Sequence, residues 1–209
     1  MFGICARAKK RLLDIYNRVF AVRIRVVVIG PEKSGKSTIV NRMFKGRLRC
    51  VRKQRDGCIY RYDEDHTSYV VYDMCGRRSS RARLDYLYKR CDVVLYCVDA
   101  SSASGEWARA REEVKSVVYR NPWTKRSMLV LGTKNEKKGA LGCMEIVQNL
   151  GLLDINGMEI SCFSVSAEKN TNIEYIGSWI RKQRSSLEWL WGARTIRRWW
   201  RLDSPKHEA

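Results

Sequence analysis

The stretch that most constrains this chain is "VVVIGPEKSGKSTIVNRMF", residues 26–44. A β-branched run empties into Gly30, four residues separate that glycine from Gly35-Lys36-Ser37, and a helical pattern follows. This is the G-x-x-x-x-G-K-[ST] spacing, in which glycines let backbone amides close around phosphates. The amides of residues 31–36 and the start of the following helix are expected to face an anion. Lys36 is placed to reach β/γ oxygens, and the Ser37 hydroxyl to hold Mg²⁺. The expected contacts of the cradle are therefore Gly30, Lys33, Ser34, Gly35, Lys36, Ser37 and Thr38.

A strand–loop–helix of this kind needs a sheet to sit in. Apolar β-rich runs occur at 22–29, 58–62, 67–72, 92–98, 127–131 and 159–165. Helical spacing falls between most of them, near 36–45, 80–90, 105–119, 141–150 and 171–184. Only the second and third runs lack a helix between them, and "DEDH" there reads as a hairpin turn. The alternation predicts an α/β P-loop fold, with about six mostly parallel strands flanked by helices.

Charge and the two ends add partners. The formal net charge is +19, which favours an acidic surface. Seven basic side chains lie in 7–25 against one acid, Asp14, and seven more in 42–55 against none. Residues 1–20 form an amphipathic pattern, with Phe2, Leu12, Leu13, Tyr16, Val19 and Phe20 on one helical face. In the tail, 186–209, Ile196, Trp199 and Trp200 fall opposite Arg194, Arg197, Arg198 and Arg201. That is the pattern of a helix lying in a membrane interface; docking of the tryptophans on the protein's own surface is the other way to cover them. No run of eighteen apolar residues exists, so no membrane-spanning helix is expected. Phe2 after Met1 and the ending "KHEA" lack lipidation signals. Eight scattered cysteines without a C-x-x-C pair, beside two histidines, argue against zinc and suit a reducing cytosolic face.

Three further elements follow the cradle in order, each after a strand. "VVYDMCGRR" places Asp73 at a strand end with Gly76 three residues on, and this resembles the D-x-x-G element of small GTPases. "LVLGTKNEKKGAL" (129–141) resembles their guanine-reading N-K-x-D loop, here Thr133-Lys134-Asn135-Glu136. "FSVSAEKN" (163–170) resembles their S-A-K loop, placing Ser166 and Ala167 beside the base. With "YKRCDVVLYCVDASS" and the amphipathic lead-in, the chain resembles the ADP-ribosylation-factor-like group over roughly residues 10–185. It is most similar to the branch that positions lysosomes. The resemblance implies a small GTPase domain over 21–185 and GTP or GDP with Mg²⁺ held through Ser37 and Asp73. It also implies an N-terminal helix that meets membrane, and effector and exchange-factor partners.

The departures bear on turnover. Group members sense the γ-phosphate with a threonine before the next strands, yet Ile39 to His66 contains neither Thr nor Ser. The segment "RLRCVRKQRDGC" reads as a basic loop instead. Arg77 stands where the group carries a water-orienting glutamine; a guanidinium has donors and no acceptor, so it cannot orient water as an amide does. Glu136 is one methylene longer than the aspartate that reads guanine, which loosens strict guanine preference.

The expectation is an Arf-like GTP-binding protein of vesicle or lysosome trafficking, cytoplasmic and peripheral on an anionic endomembrane, hydrolysing GTP slowly or not at all. A nucleotide-locked pseudo-GTPase scaffold is the alternative. A nucleic-acid binder gripping phosphates through 42–55 and the tail is disfavoured, since no RNA-binding motif appears.

Overall fold

The computed structural model describes residues 22–64, 67–75, 81–119 and 127–183. Their elements run β1 (Val22–Ile29), α1 (Lys36–Met43), β2 (Arg49–Gln54), β3 (Gly57–Glu64), β4 (Thr67–Met74), α2 (Arg81–Tyr88), β5 (Val93–Asp99), α3 (Ser104–Tyr119), β6 (Ser127–Thr133), α4 (Cys143–Leu150), a 3₁₀ turn (Leu152–Asp154) and β7 (Glu159–Ser164). A last helix, α5, follows over 173–183. The expected N-terminal helix and the tail lie outside the described residues, as do Gly76 and Arg77.

The strands form one sheet in the order β2-β3-β4-β1-β5-β6-β7. Neighbours from β4 to β7 pair in parallel, while β3 pairs antiparallel with both β2 and β4. The apolar runs are continuous because the central strands are covered on both faces. Val27, Ile29, Val94, Tyr96, Met128 and Val130 point to one side, under α2, α3 and α4. Val26, Val28, Leu95, Cys97, Leu129 and Leu131 point to the other, under Ile39 and Val40 of α1 and Ile176 and Ile180 of α5. At the foot of the sheet Arg25 clamps Asp92 with two side-chain bonds of 3.0 and 2.9 Å, fixing β1 against the start of β5. Among the described residues no helix is long and apolar enough to cross a membrane.

The sheet has a seventh strand where a loop was expected. Arg49–Gln54 pair with β3 through a two-residue turn, Arg55-Asp56, followed by Gly57 at φ 150°. From Arg49 to Lys53 every residue of β2 is exposed, so the strand carries no apolar alternation for periodicity to detect. Backbone pairing across the hairpin makes it a strand, with a bulge between Cys50 and Arg52. Cationic side chains along such an edge oppose pairing between identical chains.

Candidate nucleotide site

The cradle is built by close backbone approach. Gly30 leaves β1 at φ 132°, and a Cβ there would lie 2.0 Å from the Cys97 carbonyl oxygen. Only glycine lets the loop cross β5 so tightly. The chain then turns through Lys33 (φ 62°) and Gly35 (φ 80°) into α1. That helix has no side-chain N-cap and no acidic residue in its first turn. Its leading amides are therefore available to an anion, and the helix dipole favours one there.

Lys36 lies inside the loop, 7% exposed. Its Nζ donates to the carbonyls of Gly30 (3.0 Å) and Pro31 (2.5 Å), with Ser34 Oγ at 3.4 Å. Burial pushes the ammonium below its ordinary pKa, while Asp73 and Glu113 among its neighbours oppose the shift. Asp73, at the end of β4, is buried as well. Burial raises its carboxyl above the usual range, against a hydrogen bond with Ser37 and the charge of Lys36. Asp73 Oδ1 is buried without a hydrogen-bond partner. A buried carboxylate oxygen left open costs energy unless something satisfies it, and beside the Ser37 hydroxyl it suits a hard divalent cation. A cleft of about 400 Å³ opens here, walled across from Lys36 and Ser37 by Gly57, Cys58 and Tyr60 of β3. Gly57 allows that wall to close in, because a Cβ there would lie 2.1 Å from the Asp73 carbonyl oxygen.

The base-reading side is tied to the cradle by residues 99 and 101 positions apart. Thr133, in the place of the motif's asparagine, sets its hydroxyl 2.8 Å from the Ser34 carbonyl and 3.1 Å from that of Val98. Lys134 Nζ donates to Lys33 O at 2.7 Å and to Asp99 Oδ2 at 2.6 Å. Glu136 lies on the same loop; a hydrogen bond from Ser166 holds its carboxyl below the usual range. Its Oε2 is buried with no partner, an acceptor left open for a donor. Ser166 is fully buried and anchors its own turn through Lys169 N at 3.0 Å. The Ala167 carbonyl accepts from Arg42 Nε of α1 at 2.9 Å. Thr38 lies on α1, outside these contacts, along a groove shared with Asn41 and Arg42.

The structure thus gathers Lys33, Lys36, Ser37 and Asp73 around the cleft, ties Thr133 and Lys134 to the Ser34 and Lys33 carbonyls of the cradle, and sets Ser166 against Glu136 on the neighbouring loops. Sequence reasoning missed Asp99, whose carboxylate also accepts from Ser101 N (2.9 Å) and Oγ (2.7 Å). Its signal was an acid closing the apolar run "VVLYCVD". The phosphate-side wall of Cys58 and Tyr60 was missed too, because β3 was placed without its edge partner.

Residues 12–184 match the ADP-ribosylation factor family. The ADP-ribosylation factor-like protein 8b of Arabidopsis thaliana is 23% identical over 176 residues, covering 80% of this chain and 91% of that protein. The ADP-ribosylation factor-like protein 1 of Caenorhabditis elegans is 22% identical over 173 residues, covering 82% and 96%. In fold, the chain is similar to the Arl6 BBS3 small GTPase of Trypanosoma brucei, solved with the nucleotide analogue GppNp. The TM-score is 0.65 at 20% identity, over 79% of this chain and 99% of that one. With the cradle, the base loop and most of the length accounted for, the chain belongs to the ADP-ribosylation factor family of small GTP-binding proteins, whose ligands are guanine nucleotide and Mg²⁺.

Proposed function

We propose that this chain is a membrane-associated Arf-like protein that holds GTP far better than it hydrolyses it, and acts through the partners it recruits in that state. The observation that carries the reading is the lining of the phosphate end of the cleft. Among the described residues it contains Lys36, Ser37 and Asp73 but no threonine and no glutamine. Binding and turnover need different groups, and among the described residues only the first set lines that end. The α1 amides and Lys36 bind phosphate oxygens, and Ser37 and Asp73 hold the cation. When bound, Mg²⁺ neutralises charge on the phosphate oxygens. Lys134 braces the base loop against the cradle. In-line attack also requires a group that orients water, and Arg77, at the usual position, has no acceptor to do it.

Membrane attachment rests on the amphipathic residues 1–20 and the Trp/Arg tail, with the anionic cytoplasmic leaflet of an endomembrane as their surface. Trafficking, with the lysosome as organelle, follows from the likeness to the lysosome-positioning branch. Effectors and an exchange factor are the protein partners of such a switch.

The test is to release whatever nucleotide co-purifies with the protein and identify it by chromatography. GTP in near-stoichiometric amount supports the reading, with none recovered from a folded Lys36→Ala variant. GDP alone would count against the retention of GTP. No nucleotide, with no affinity in titration, would overturn the assignment of the cleft.

A further inference from the structure

Cys143 opens α4 and Cys162 lies in β7, and each thiol faces the other residue's backbone. Cys143 Sγ donates to the Cys162 carbonyl at 3.0 Å, and Cys162 Sγ lies 4.0 Å from the Cys143 carbonyl. Both residues are half-buried, at the surface-facing layer formed by β7 and α4 rather than in the core. These reciprocal contacts set the two side chains next to each other where α4 meets β7, and a disulfide forms only between neighbouring cysteines of this kind.

We infer that Cys143 and Cys162 are a modification site: a peroxide closes them into a disulfide that staples the two guanine-side loops together at their base. The position gives the bond its leverage. The base-reading loop leaves β6 at Thr133 and enters α4 at Cys143. Four residues beyond Cys162, the chain reaches Ser166, the partner of Glu136. The loops already touch through Asn135, whose N donates to the Val165 carbonyl at 3.3 Å and whose Nδ2 donates to Ser164 Oγ at 3.3 Å. A covalent link one step below these weak bonds resists their parting, and a bound base leaves between those loops.

The chemistry balances with peroxide as the two-electron oxidant. The Cys143 sulfur attacks one peroxide oxygen, the O–O bond breaks, and water leaves a sulfenic acid on Cys143. The Cys162 sulfur then displaces that hydroxyl group, forming the S–S bond and a second water. Both thiol protons end in water. Burial, with the neighbouring Cys143 thiol, pushes the Cys162 thiol well above its ordinary range.

The effect on nucleotide rests on the guanine-site reading above; the disulfide does not, and one experiment separates them. The full chain, loaded with Mg²⁺ and a fluorescent guanine nucleotide, is treated with hydrogen peroxide, alkylated, and digested for peptide mapping. A linked Cys143–Cys162 peptide pair is expected, two hydrogens lighter than the free peptides and restored by dithiothreitol. Nucleotide release should slow severalfold in the oxidised protein and return on reduction. Cys143→Ser and Cys162→Ser should each release nucleotide at the parent's reduced rate and ignore peroxide. Absence of the linked pair overturns the site, and a linked pair with unchanged release overturns the staple. A chain that takes up no nucleotide when reduced counts against the guanine site, while the peptide map still decides the disulfide.

Discussion

Lys134 joins three segments through one ammonium: its Nζ lies 2.6 Å from Asp99 Oδ2 at the end of β5 and 2.7 Å from the carbonyl of Lys33 in the cradle. Both lysines hold left-handed backbone, φ 59° and 62°, at a cost on the order of 1 kcal/mol each. Such strain persists where surrounding bonds over-determine it, and here the bonds run between the base loop and the phosphate loop.

Asp99→Asn should therefore loosen the site as well as the fold. Burial works against the Asp99 carboxylate, but hydrogen bonds from Lys134 and Ser101 overcome it and lower its pKa. A carboxyl depressed on folding contributes stability that is present above its unfolded pKa. That stability is lost as pH falls through the lower folded value. Urea denaturation should give a loss of about 1 kcal/mol at neutral pH, shrinking on acidification below the ordinary carboxylate range. Parallel stability–pH curves for parent and variant would refute the pairing.

Asp73 has the opposite sign. Its folded pKa is raised by burial, so the apo protein loses stability as pH rises through that value and the carboxylate is exposed to its own desolvation. Cation binding draws on the ionised form. Mg²⁺-dependent nucleotide affinity should weaken on acidification from a pH above the ordinary aspartate value of about 3.9. Asp73→Asn should remove that pH dependence and weaken Mg²⁺ affinity by about 10–100-fold, read by titration at several pH values.

Glu136 offers a buried, open Oε2 on a side chain one methylene longer than the aspartate of the motif. Glu136→Asp should sharpen the preference for guanine over adenine nucleotide. The gain should be about 1–3 kcal/mol, the cost of a misaligned buried hydrogen bond. Competition of GTP and ATP against a fluorescent nucleotide measures it; equal preference in parent and variant would show that the longer acid already reads the base.

Intrinsic turnover should fall below the Ras value of about 3–5 × 10⁻⁴ s⁻¹ in a single-turnover assay. Arg77→Gln alone should restore little, since neither Thr nor Ser stands between Ile39 and His66 to sense the γ-phosphate. A parent rate at or above that of Ras would contradict the proposed retention of GTP.

Trp199 and Trp200 stand with Ile196 on the apolar face of the tail pattern, and apolar surface is worth about 25 cal/mol per Å² buried. Each nearby arginine adds roughly 1 kcal/mol at an anionic surface, screened by salt. Vesicles containing phosphatidylserine should bind the chain in a salt-sensitive way, with a blue shift of tryptophan emission. Replacing both tryptophans by serine should remove most of that binding at unchanged net charge. Undiminished binding would move the anchor elsewhere.

Six of the seven strands were legible as β-rich runs, most clearly β5 and β6, which are covered on both faces and so are apolar throughout. The cradle was legible for a local reason too: Gly30, Gly35, Lys36 and Ser37 act within one turn of chain, so their spacing carries their geometry. β2 was hidden, since an edge strand with its side chains in water leaves no period for the sequence to display. The pairing of Asp99 with Lys134, of Thr133 with the Ser34 carbonyl, and of Cys143 with Cys162 was decided by tertiary structure alone. Periodicity records which face of an element is buried. Which strand ends meet depends on strand order and register, set by how the two helical layers pack over the whole sheet, and no local pattern of residues carries that information.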